Sequence, residues 1–211
     1  MFSQAELDPL VAEVGALIDA YAGRADPRLM MLPEDGSGRG IPRPMCDGPV
    51  DKDGWGPWKV LPSDVTATQI AAVEDQFGVR FPPIWTAYLC ARCHLFNQLQ
   101  SNRYDRQLVW FTDTPYGRNL VPQTRLLETN APLHRAGFVS IAQWGDGWGP
   151  VCFDLTRRRD DGDAPVVWLD HEMLAGLASG GKLGDRTAVE PLAKPLYDTV
   201  HEMLWDLFKS P

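Results

Sequence analysis

Cys90-Ala91-Arg92-Cys93-His94 is the place in this chain where thiol and imidazole groups stand at a spacing that chemistry uses. The run matches c-type haem attachment, and the Cys-x-x-Cys pair alone could be half a zinc site or a redox couple. Its surroundings argue against all three. Haem attachment normally needs an exported chain, whereas MFSQAELDPLVAEVGALIDAYAG has acidic residues and no basic segment before its apolar positions, unlike a secretory signal. A full zinc site would have to recruit Cys46 or Cys152, with no second paired spacing, and a redox pair belongs at a helix start, whereas this one falls near a helix end. Cys90 and Cys93 therefore read as small residues packed on a helix, with His94 near its C-terminus, where positive charge is favoured. No cofactor and no metal are expected.

Asp146, Asp154, Asp160, Asp161 and Asp163 invite a calcium reading, because hard cations want several carboxylates. Their spacing does not fit the Asp-x-[Asp/Asn]-x-[Asp/Asn]-Gly loop, and Asp with Gly is what tight hairpins demand on backbone grounds alone. Arg157-Arg158-Arg159 directly precedes the second acidic turn, so the two charge runs offset each other as a solvated strand end. His94, His134, His171 and His201 are scattered without His-Glu-x-x-His spacing. There is no Gly-x-Ser-x-Gly and no phosphate loop, and Gly145-x-Gly147-x-Gly149 lies in a hairpin rather than before a helix. Catalysis finds no support, and a non-enzymatic protein is expected.

The tryptophans carry a different signal. Trp144 and Trp148 flank Gly145-Asp146-Gly147, and Trp55 and Trp58 sit around Asp53-Gly54-Trp55-Gly56. Aromatics beside acidic turns serve as interface anchors, although a single tryptophan more often covers a core. Trp144, Asp146 and Trp148, with Asp154, Asp160, Asp161 and Asp163, form the candidate partner-binding set.

The elements that must position these residues are legible in part. Leu7, Leu10, Val11, Val14, Leu17, Ile18 and Tyr21 recur at helical spacing, ending near Gly23. Residues 24–56 are rich in Gly, Pro and Asp and read as a long loop, with a short strand near Trp58 to Leu61. Thr66 and Gln69 form a capping box for a helix of about three turns closed by Gly78. Pro82-Pro83 opens a second helix whose buried stripe is Ile84, Trp85, Tyr88, Leu89 and Leu95. Strands follow at Gln107 to Phe111 and at Asn119 to Leu127. Phe138 to Ile141, Val151 to Phe153 and Val166 to Leu169 then make a three-stranded meander around the acidic turns. His171 to Ala178 reads as a short helix, and Pro191 to Phe208 as a closing amphipathic helix. The order favours an α+β fold, mainly antiparallel sheet with helices packed on it and amphipathic helices at both ends. It divides as an extension over 1–57 and an α+β domain over 58–211.

The succession Leu61-Pro62, Val65 to Ile70, Val73-Glu74, Phe77-Gly78-Val79-Arg80-Phe81-Pro82-Pro83 and Tyr88-Leu89 resembles the start of a SUKH-superfamily domain, a group that includes yeast cell-wall assembly regulators and bacterial immunity proteins. Ile141-Ala142, Gly145-Asp146-Gly147, Val151 to Leu155, Pro165-Val166-Val167 and Asp170-His171-Glu172 are similar to its strand signature. The likeness covers roughly 58–178. The chain departs from the family at Ala91 to His94, where a glycine is usual, and in its extra length over 1–57 and 101–135. The resemblance implies a non-enzymatic domain that binds and neutralises a polymorphic toxin, often a nuclease.

Composition agrees with that expectation. A formal charge of −8 argues against a phosphate-neutralising surface and for a basic protein partner, a cognate toxin rather than nucleic acid. No stretch is long and apolar enough to span a bilayer, so a cytoplasmic protein with reduced cysteines is expected. The alternatives are an intracellular adaptor or regulatory module of the same fold, and a metal or redox protein using Cys90, Cys93 and His94.

Overall fold

The computed structural model of the chain describes residues 4–33, 40–145 and 147–209. Its central element is a helix without a single charged residue. Over α3 (Pro83–Ala91), Pro83 to Leu89 and Ala91 are all buried. A helix apolar on every side is stable only when covered on every side. One cover is α1 (Gln4–Ala22), whose Leu7, Val14, Ile18 and Tyr21 are buried along one stripe. The sequence reading set 1–57 apart as an extension, yet Val14, Ile18 and Tyr21 share one core with Trp85, Tyr88 and Leu89. Asp19 clips the helix in place through Arg92, with Nε to Oδ1 at 2.9 Å and Nη2 to Oδ2 at 2.6 Å.

Residues 24–56, read as a loop, hold one short strand and most of another, and a strand at 61–62 overlaps the end of the one expected near Trp58 to Leu61. β1 (Met31–Pro33) joins β2 (Trp55–Pro57), and β3 (Leu61–Pro62) joins β4 (Arg92–Cys93). Pairing partners far apart in sequence leave no local period to read. The next helix behaves as its punctuation predicts. In α2 (Ala67–Phe77) the Thr66 and Gln69 side chains cap each other's backbone, and Gly78 takes the left-handed φ of 65° that closes the helix.

The other cover of α3 is a six-stranded antiparallel sheet in the order β10-β9-β8-β7-β6-β5. Its strands are β5 (Gln98–Gln100), β6 (Leu108–Phe111), β7 (Phe138–Trp144), β8 (Pro150–Asp154), β9 (Val166–Leu169) and β10 (Ala193–Tyr197). The fold is α+β, with helices near both ends. The meander β7-β8-β9 lies where the acidic turns placed it, with Gly145 and Gly147 at φ 58° and 83°. Period-two alternation sorts its side chains: Val151 and Phe153 face the main core, while Cys152 faces a second core with Phe138, Val167 and Leu169. That second core lies under α5 (Ala131–Arg135), α6 (His171–Ser179) and α7 (Arg186–Val189), which supply Leu133, Leu174 and Val189. Both sheet faces are thus covered.

Two expected elements take another form. Residues 119–127, read as a strand, carry α4 (Val121–Thr129). Pro122 fits the first helical turn, Gln123 and Leu127 lie one turn apart and buried, and β6 is already paired on both sides by β5 and β7. Residues 191–208, read as one helix, divide into the edge strand β10 and α8 (Val200–Lys209). A proline at 195 would cost a helix interior a hydrogen bond and a clash, but it is tolerated on a sheet edge, where the ladder is irregular between Pro195 and Tyr197.

An aromatic cluster closes the main core. The Trp85 ring stacks on Tyr88 at 4.7 Å, and Phe208 of α8 meets Tyr21 of α1 at 5.5 Å. The β5–β6 connection is strained: Asp105 and Arg106 hold φ angles of 47° and 62°. Each departure from right-handed backbone costs a side-chain-bearing residue roughly 1–2 kcal/mol. Asp206 of α8 holds the turn, accepting from Ser101 Oγ at 2.6 Å and the Arg103 N–H at 2.9 Å.

Candidate functional site

The Cys-x-x-Cys-His run does not form a site. α3 ends at Ala91, so Cys90 lies on the helix, while Cys93 lies on β4 and His94 beyond it. His94 is completely buried. Its Nδ1 accepts the Phe96 N–H at 3.2 Å, which leaves Nε2 as the protonated nitrogen, donating to Tyr88 Oη at 2.8 Å. The Tyr88 hydroxyl in turn donates to the Thr112 carbonyl. Burial pushes the imidazole down to about 3, so it is neutral, and the cationic histidine expected at a helix end is not what forms. Burial likewise raises Cys90 to about 11 and raises Cys93 and Cys152, so none of these is a ready thiolate. Among the described residues no group of three or more His, Cys, Asp or Glu side chains is placed to hold a metal ion.

The candidate acidic residues divide between interior and surface. Asp154, 1% exposed, ends β8 and receives both prongs of Arg186, with Thr156 Oγ1 donating at 2.8 Å. Burial pushes its carboxyl up, but the Arg186 and Thr156 hydrogen bonds outweigh that and hold it below the usual carboxylate range. Asp163 is also buried. Its Oδ1 accepts from the Ala164 and Val200 N–H groups at 2.7 and 3.1 Å, and its Oδ2 from His201 at 3.2 Å, which caps α8 from a distant loop. Both carboxylates are thus taken up by hydrogen bonds inside the fold. Asp160 and Asp161 stay exposed, Asp161 beside Arg159 at 3.4 Å. Asp146 lies outside the described residues.

The two tryptophans of the β7–β8 turn have opposite roles. Trp144 is buried against Tyr104, with ring centroids 5.3 Å apart. Trp148 is 50% exposed, yet its backbone is tied down. Its N–H donates to the Trp144 carbonyl at 3.0 Å, and its own carbonyl accepts from the His171 N–H at 3.0 Å and the Trp168 indole at 3.2 Å. Gly149 allows this. It stands at φ 133°, and a Cβ there would overlap the Leu169 carbonyl oxygen. Beside the turn, Lys194 lies 4.3 Å from the Trp168 ring centre and 4.0 Å from Asp170. Met173, 54% exposed, stands in the first turn of α6, two residues beyond His171.

This surface offers an indole, a thioether and a lysine on backbone that is hydrogen-bonded and packed. That is the chemistry of an interface anchor. Sequence reading found Trp148 from its turn but missed Trp168, Lys194 and Met173. Lys194 opposes Trp168 in the β10–β9 register, and only a strand reading of 193–197 could have paired them. No helix among the described residues is long and apolar enough to cross a membrane. No protein-family model matches the chain, and a search of the curated proteins finds no match.

Proposed function

We propose that this chain is a non-enzymatic, immunity-type protein of the SUKH superfamily, working in the cytoplasm by binding and neutralising a cognate toxin with a basic surface, a nuclease being the first class to test. The observation that carries the reading is Trp148, a half-exposed indole on a turn whose backbone is fixed by three hydrogen bonds. A large apolar side chain held in place before binding loses little conformational freedom on docking. The charge of −8 speeds encounter with a basic protein, while a buried indole slows dissociation. The order of elements adds support: a capped helix, a diproline link, a buried helix and then an antiparallel meander follow the succession that the resemblance implies.

Co-expression tests the proposal. Each toxin candidate encoded beside this gene is expressed with and without the chain, and growth is followed. Rescue by the wild type and its loss in Trp148→Ala are expected. Failure of every neighbouring candidate to bind would sink the reading, and a single stable complex drawn from unstressed cells without toxin would favour an adaptor of the same fold.

A further inference from the structure

Lys194 is a cation held loosely on an indole. It stands on β10 opposite Trp168 of β9, with its ammonium 4.3 Å from the centre of that ring. Its carboxylate partner is Asp170, 4.0 Å away, too far for a direct charge-assisted hydrogen bond of about 2.7–2.9 Å. The two oxygens of Asp170 divide their work: Oδ1 accepts the Glu172 N–H at 2.9 Å and caps α6, which leaves Oδ2 to the lysine. The lysine side chain is 59% exposed, so water reaches the ammonium and weakens both of its contacts. The ring beneath it is better fixed. Trp168 is half-buried, and its Nε1 donates to the Trp148 carbonyl at 3.2 Å. A fixed π face and a carboxylate oxygen therefore stand together under a long, flexible cation.

A basic partner docking at Trp148 would meet Lys194 as a like charge. We propose that the Trp168 face and Asp170 Oδ2 form a subsite for an arginine of the partner, for which Lys194 is the internal stand-in, swinging into solvent as the arginine enters. A guanidinium suits the place better than an ammonium, because it stacks flat on an indole, is more weakly hydrated and still directs N–H groups at a carboxylate. The inference deepens the toxin-binding reading and rests on it for the owner of the arginine. The chemistry of the subsite is testable without any toxin.

In the full chain the Trp168 indole N–H, assigned with Trp168→Phe, is followed by NMR as acetylarginine amide is titrated at constant ionic strength. It should shift with the arginine and not with acetylcitrulline amide, the uncharged isostere. Lys194→Ala should tighten binding at least threefold, whereas Lys52→Ala, the same charge change at another exposed residue, should leave it unchanged. Asp170→Asn keeps a good helix cap and should weaken binding at least threefold. No shift in either the wild type or Lys194→Ala, equal shifts with citrulline, or equal tightening by Lys52→Ala would overturn the proposal. Arginine binding with these dependences supports the subsite even where every toxin candidate fails to bind. Rescue of growth without arginine binding would overturn the subsite and leave the toxin reading standing.

Discussion

Asp154 and Arg186 meet in a two-pronged pair, Nη1 to Oδ1 at 2.7 Å and Nη2 to Oδ2 at 2.8 Å, that joins the end of β8 to α7. The guanidinium also lies over the Phe138 ring, 4.3 Å from its centre, and reaches Glu190 at 3.0 Å. The pair thus closes the second core, and an aspartate that looked like a surface residue in the sequence is an internal fastener.

Removing Arg186 strips buried Asp154 of its two-pronged partner and leaves it with Thr156 and the more distant Arg157, at 3.6 Å. Arg186→Met is expected to cost about 3–5 kcal/mol, while the double variant Asp154→Leu/Arg186→Met recovers most of that loss. Urea denaturation of the two variants and the wild type checks this. Equal destabilisation by both would show that packing, not charge, dominates.

Gly149 tolerates no side chain. Gly149→Ala places a methyl group against the Leu169 carbonyl on a backbone that L residues avoid, and should cost more than about 3 kcal/mol. The matching change at Gly147, where a Cβ meets nothing within 4 Å, carries only the backbone strain. Thermal melts should separate the two clearly.

Acid acts on the buried His94 and the half-buried Asp113 in opposite directions. His94 is held at about 3 in the fold against 6.5 ordinarily, so its contribution is complete above about 6.5 and is lost as pH falls towards 3. Asp113 is pushed up to about 6 from 3.8 by burial, so its contribution is complete below about 3.8 and is lost as pH rises through 6. Asp113→Asn should therefore gain stability relative to wild type as pH goes from 4 to 6. Denaturation across that range checks the sign, and a relative loss would show that the carboxylate has a stabilising partner.

Trp148 should separate binding from folding. Its anchoring hydrogen bonds use backbone atoms, so Trp148→Ala is expected to change stability by less than about 1 kcal/mol. Loss of an interface anchor weakens a complex by about 2 kcal/mol or more, roughly thirtyfold. Calorimetric titration with the rescued toxin, beside a thermal melt, measures both.

The legible parts of this fold were those set by neighbours in sequence. Thr66, Gln69 and Gly78 specify α2 within a dozen positions, and the turns around Gly145 and Gly162 specify the meander. What misled was coincidence of spacing. Leu192, Leu196, Val200 and Leu204 recur four apart as in a helix, yet the first lies in a 3-10 turn, the second on a strand and the last two in α8. Pro195 was the local signal against it. The role of Asp163 was not legible, since the N–H groups it caps lie 37 and 38 positions away. In the candidate site, Trp148 was visible from its turn, whereas Lys194 meets the Trp168 ring only through the β10–β9 pairing.

The complete burial of α3 also fixes when the protein can be finished. Its covers come from both ends of the described chain, and Arg24 near the end of α1 donates to the Lys209 carbonyl of α8, 185 positions away. During synthesis α1 precedes α3, but the sheet and α8 follow it, so the apolar helix stays partly uncovered until α8 leaves the ribosome. Loss of either α1 or α8 would return the molecule to that half-built condition.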